Sequence, residues 1–233
     1  MNRLSNAHHL RKQVAGICML VAPALLLAGV IIHPETGTSE SSIMAAAAGD
    51  PDAWYAAHLL ILGSLVLAVP ATLGLMHMLR EREVAWGHAG GGLALLGIIA
   101  YIGIVTVEGF VGWQGAAGDR AEMTALLQRL FDSDGFGTLF GVASFGYVLG
   151  IVTLAMGLYR ARATQSYFAL FLAIGAVLLT ISASSASELM AVIGAAFIVV
   201  GSGMVGRTVL FESDEDWEHT PEYQGFRPLA GMR

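Results

Sequence analysis

Six long apolar runs separated by short polar stretches set the plan of the chain. They cover about residues 13–32, 54–79, 86–112, 136–159, 166–182 and 187–206. Each is near the roughly 20 residues that an α-helix needs to cross the hydrocarbon core of a bilayer. The pattern predicts an all-α fold, a polytopic integral membrane bundle of six transmembrane helices. Pro23 and Pro70 fall inside the first two runs and predict bends, because proline removes a backbone hydrogen bond. The first run follows a basic segment, as a secretory leader would. A leader's apolar core is only about 7–15 residues with a small-residue cleavage site directly after it, so this run reads as a retained helix.

The polar stretches complete the domain plan. Residues 1–12 form a basic N-terminal segment, 13–207 the membrane domain, and 208–233 an acidic tail that hangs in solvent. Residues 33–53, rich in Ser, Thr, Gly and acid, read as a loop. Between the third and fourth runs, Met123, Leu126, Leu127, Leu130 and Phe131 recur at helical spacing among charged residues. That spacing predicts an amphipathic helix over 120–131, lying in the interface. Residues 183–186, Ala-Ser-Ser-Ala, make a tight turn.

Composition agrees with the pattern. The chain has 233 residues, 55% hydrophobic and 13% charged, with too little charge to cover a soluble surface. No basic patch with interleaved aromatics is present, so nucleic acid is not an expected partner; the lipid bilayer is. The single cysteine, Cys18, excludes an internal disulfide. Lysine and arginine set the orientation. With the N-terminus in the cytoplasm, ten of the twelve basic residues are inside, and only Arg120 and Arg129 are outside. Both termini are then cytoplasmic, in a multi-pass protein of the cell membrane. Trp54, Trp86 and Trp113 fall at predicted boundaries, where tryptophan favours the interface.

Glycine is the commonest device within the runs. Gly87 and Gly91, Gly137 and Gly141, and Gly146 and Gly150 are small-x-x-x-small pairs that permit close helix approach. Such faces also offer contacts to other membrane subunits or to a second copy of the chain.

Few ionisable residues lie inside the runs, and each costs about 2.5–3.5 kcal/mol on insertion scales, which makes it a candidate for function. The second and third runs are joined by a short charged link, Arg80-Glu81-Arg82-Glu83, and predict an antiparallel hairpin. Residues at one depth of such a hairpin have position numbers with a constant sum. His58 and Glu108 sum to 166, and His77 and His88 to 165, so each pair shares a level. The outer level, His58 with Glu108, is the leading candidate for binding or proton handling, and His33 and Glu188 are placed to join it. Imidazole suits Zn, Cu, Fe and Ni, so His58, His33 and Glu108 also form a candidate metal set. A b-type haem is the other cofactor that histidines on different helices could hold. No Walker loop, Gly-x-Ser-x-Gly or His-Glu-x-x-His element is present, so no enzyme template is met.

Three functions follow from these residues. The first is transport or sensing of a small solute, ion or proton at the outer site. The second is a membrane redox subunit holding b-type haem or a divalent metal through histidines. The third is a non-catalytic structural subunit of a membrane complex.

Overall fold

The computed structural model describes residues 3–219 and 225–229. The predicted tail residues 220–224 and 230–233, including Arg233 of the basic count, lie outside the described residues, as do residues 1 and 2. The described chain is all helical: α1 Arg3–Ile32, α2 Glu40–Gly49, α3 Pro51–Met78, α4 Val84–Ala117, α5 Arg120–Phe131, α6 Asp134–Arg160, α7 Ser166–Ser185, α8 Glu188–Phe211 and α9 Asp214–Glu218. Six of these, α1, α3, α4, α6, α7 and α8, are long and apolar enough to cross a membrane.

The six long helices form a closed ring in chain order, with α8 returning to pack against α1. Backbone contact through glycine makes the ring possible. A Cβ on Gly206 of α8 would lie 2.8 Å from the Gly16 carbonyl oxygen of α1. One on Gly146 of α6 would lie 3.0 Å from the Gly97 amide nitrogen of α4, and one on Gly175 of α7 would lie 2.8 Å from the Gly194 carbonyl oxygen of α8. Where helices cannot gain by hiding apolar surface from water, small residues let backbones meet and dispersion hold them. Gly146 and Gly150 therefore act as predicted, against α4. Gly87 and Gly91 meet Leu79 and Met76 at the α3–α4 turn, whereas Gly137 and Gly141 face open space. Only the α6–α7 seam has no such glycine contact. A groove of about 340 Å³ opens there, lined by residues that include Met156, Tyr159, Tyr167 and Leu170.

The α3–α4 hairpin keeps the predicted register. Gly112 abuts Trp54, Gly109 abuts His58, Gly91 abuts Met76 and Gly87 abuts Leu79, all pairs whose position numbers sum to 166 or 167.

Both ends of the ring differ from expectation. The stretch read as a loop contains α2, capped by the Ser39 hydroxyl accepting from the Ser42 amide. Its alanines are the strongest helix formers available, and they outweigh the surrounding polar residues. The helix α5 has the predicted bounds, but its Leu127 is fully buried in a cluster with Ile43, Met44, Ala47 and Trp54 instead of facing lipid.

The acidic tail does not hang in solvent. Trp217 is only 2% exposed, and its ring stacks on His77 at 4.3 Å between centroids. Arg80 Nη2 donates to the Trp217 carbonyl oxygen at 2.7 Å. Lys12 donates to the Glu212 carbonyl oxygen at 2.9 Å and pairs with Asp214. His8 and Glu218 are 2.7 Å apart. Further on, Arg227 pairs with Glu212 at 3.3 Å with both side chains buried, and its amide donates to the Arg162 carbonyl oxygen. The tail thus ties together the start of α1, the α3–α4 turn and the α6–α7 turn. Asp214 and Glu218 meet basic groups near the start of α1, which offsets the cost of bringing these carboxylates out of water.

Trp217→Ala should cost about 3–5 kcal/mol, the usual range for deleting a buried tryptophan, read as a lowered thermal midpoint with protease access to the tail. The Lys12 ammonium, and then His9, hold the Asp214 carboxyl below its ordinary range. A carboxyl depressed in the folded state stabilises above its unfolded pKa, near 3.9, and loses that contribution as the pH falls through the folded value. Tail docking should therefore be intact at neutral pH and weaken below about pH 4, in a hydrogen-exchange measurement of residues 212–218.

Candidate functional site

The ring encloses a cavity because the residues facing its axis are unequal in size. Leu26, Tyr147, Ile151 and Ile198 reach inward, while Ala22, Ala68, Ala71 and Ser64 leave space. The remaining volume is about 250 Å³, and residues of all six long helices line it. At the end of the ring where α1 begins and α8 finishes, Met19, Leu79, Leu154, Leu158 and Val205 are fully buried in one cluster and fill the axis.

At the opposite end the cavity continues into a wider vestibule of about 580 Å³. Val30, Ile61, Tyr101, Val105, Ser182, Ala183 and Ala191 line both spaces. One face of α4 runs the length of the passage. Ile98, Tyr101, Val105 and Glu108 are spaced three and four apart, so they stack on one side of the helix over about 15 Å. This places Glu108 at the junction of an apolar shaft with a polar mouth. His33, Thr36, Thr38 and Glu188 also line the mouth, together with Phe131, Phe136 and Phe140, and among the described residues no lysine or arginine does.

The two carboxylates lack partners. Glu108 makes no hydrogen bond or ion pair with any described residue. Glu188 Oε1 is buried with no hydrogen-bond partner among them. His33 donates from Nδ1 to the Pro34 carbonyl oxygen at 2.9 Å, and burial pushes its pKa below the ordinary imidazole value.

The predicted outer level is present, but its two leading residues do not pair. His58 donates from Nδ1 to the Trp54 carbonyl oxygen at 2.8 Å and packs its ring on Trp54 at 4.4 Å. Trp54 in turn donates from Nε1 to the Gly109 carbonyl oxygen at 3.1 Å. The position of α4 that His58 meets is Gly109, where a Cβ would lie 2.8 Å from its ring. Glu108, one residue earlier, is turned about 100° away and faces the vestibule. His33 links the two sides, lining the vestibule while its ring lies 5.0 Å from those of both His58 and Trp54.

That packing bears on two cofactor expectations. His33 and His58 touch each other, which leaves no gap between them for a haem plate. Among the described residues, no group of three His, Cys, Asp or Glu side chains is placed to hold a metal ion, so His58, His33 and Glu108 are not gathered as a metal set. The inner pair separates as well. His77 stacks on Trp217, and His88 is exposed, bonded to the Val84 carbonyl oxygen of its own helix.

Comparison with known proteins adds no relative. No family model matches the chain, and no curated protein or solved structure matches it.

Two substitutions distinguish residues that hold the fold from residues that face the vestibule. Trp54→Phe deletes the bond to Gly109 and should cost about 1 kcal/mol, the net worth of one such hydrogen bond. Glu108→Gln breaks no interaction and should leave stability within about 0.5 kcal/mol. Thermal or denaturant unfolding of the purified variants checks both, and a larger loss for Glu108→Gln would reveal a structural partner.

Proposed function

We propose that this chain is a multi-pass membrane protein, with both termini in the cytoplasm, that binds a small solute from the outer side for transport or sensing. The excess of basic residues near the ends that carry the termini supports the orientation. The observation that carries the reading is the shape of the axial space. It is wide and polar-rimmed at one end, narrow and apolar at the centre, and filled by side chains at the other. An unpaired carboxylate inside an otherwise apolar helix is costly unless something meets it. Glu108 faces the passage, where solute, proton or water can do so.

The site is therefore Glu108 and Glu188 with His33 at the mouth. His58 acts beneath them, positioning the His33 side of the wall through Trp54. The scaffold alternative draws on the glycine pairs: Gly146 and Gly150 are occupied by contacts within the chain, whereas Gly137 and Gly141 meet nothing within 4 Å and are the pair on which that alternative rests. The redox alternative has no paired imidazoles across a gap to support it.

Cysteine accessibility tests the reading without knowledge of the solute. Cys18 is buried, and replacing it with alanine clears the background. In that chain Ala183→Cys, at the junction of the two spaces, should react with a membrane-impermeant thiol reagent added outside intact cells. The same reagent added outside sealed inverted vesicles, where it meets the cytoplasmic face, should not reach it. Modification from the cytoplasmic side only, or from neither side, would remove the proposal.

A further inference from the structure

The lining of the passage specifies more than an unnamed solute. Glu108 and Glu188 present carboxylates to one space from two different helices, α4 and α8, and neither has a partner among the described residues. Tyr101 and Phe136 add aromatic rings to the same walls. Among the described residues neither a lysine nor an arginine lines either space, and burial lowers the pKa of His33, the histidine of the mouth, which disfavours its charged form. Carboxylates with aromatic faces and no competing cation are the chemistry that receives an organic ammonium group.

A small hydrated metal ion does not fit the rest of the passage. Below Glu108 the wall is Val105, Tyr101 and Ile98, leading into a space of about 250 Å³ lined mainly by apolar side chains. Apolar cavities of that size receive apolar groups in preference to water. From the level of Glu108 to that of Ile98 is about 15 Å along the helix. A ligand that satisfies both levels has a positive head and an apolar body.

We infer that the passage binds an amphipathic organic cation, its ammonium group between Glu108 and Glu188 and its apolar part in the central cavity. This rests on the outward-open reading above. The ammonium would supply the charge that both carboxylates lack, and the body would fill the space that the small residues of α1 and α3 leave. A sensor or a transporter can each be built on that interaction, because either needs only that binding differ between two conformations.

The experiment uses Ala183→Cys in the full chain with Cys18→Ala, in right-side-out membrane vesicles, and measures the rate of labelling by the impermeant thiol reagent. The probes are hexyltrimethylammonium, hexanol, hexanoate and sodium ion, each added at rising concentration. The inference expects hexyltrimethylammonium to slow labelling at concentrations at least tenfold below those at which hexanol or hexanoate does, with sodium ion inert. Glu108→Gln should raise the protecting concentration of the ammonium probe by about tenfold or more and leave that of hexanol unchanged. Equal protection by the neutral probe, preference for hexanoate, protection by sodium ion alone, or a Glu108→Gln chain that still prefers the ammonium would each overturn the cation while leaving the outer opening in place. Failure of the thiol to label at all removes the opening and the cation with it. Direct titration of the purified wild-type chain with hexyltrimethylammonium checks the same preference where the cysteine chain folds poorly.

Discussion

Helix backbones in direct contact are the constraint from which the rest of this structure follows. Glycine faces glycine across α1–α8, α4–α6 and α7–α8, and in each case a single added Cβ would lie within about 3.2 Å of opposing backbone. Close approach of this kind fixes which face of each helix looks at its neighbour. The remaining faces must then look inward to the axis or outward to the surroundings. The outward faces carry large apolar residues such as Phe145, Ile99 and Leu170, as expected for helices immersed in lipid. The inward faces mix bulky and small side chains, and the axial space is what the small ones leave open.

The two ends of that space are closed by different means. Where the chain begins and the last long helix finishes, leucine, methionine and valine fill the axis, and the tail is fastened over them by Trp217, Arg80, Lys12 and Arg227. At the other end α2 and α5 pack on each other and on α4, around Met44 and Leu127, and Ile43 of α2 and Phe131 of α5 join the wall of the vestibule. The asymmetry gives the passage one mouth. Glu108 stands between a polar mouth and an apolar shaft, so its environment, more than any single contact, defines the candidate site.

The sequence carried depth but not rotation. The sums that placed His58 level with Glu108 are reproduced by the contacts of Trp54, His58, Met76 and Leu79 with the glycines of α4. Depth along a helix pair is fixed by counting residues from the turn. Rotation about the axis changes by about 100° per residue, so an error of one position moves a side chain to another face, and Gly109 meets His58 where Glu108 was expected. Rotation was nevertheless readable in part. The three- and four-residue spacing of Ile98, Tyr101, Val105 and Glu108 marks one stripe of α4, and its change from apolar to acidic marks the mouth. The docked tail was not readable, because its partners lie some 60 to 210 positions away and its acidic residues look the same in water as in a network of bases. Helix α2 left a signal in its alanine run and Ser39 cap, masked in the sequence by the polar and glycine residues around it.

The central claim, that the axial space opens to water at one end only, is tested most directly by nitroxide labels on α8. Ala191 lines the passage, whereas Ile193, two positions on, is exposed on the outside of the ring. In bilayers, a label at Ala191 should collide more with a water-soluble nickel chelate than with oxygen, and a label at Ile193 should show the reverse. Oxygen-dominated collisions at both positions would mean that the axis is closed or filled with lipid, and would contradict the account.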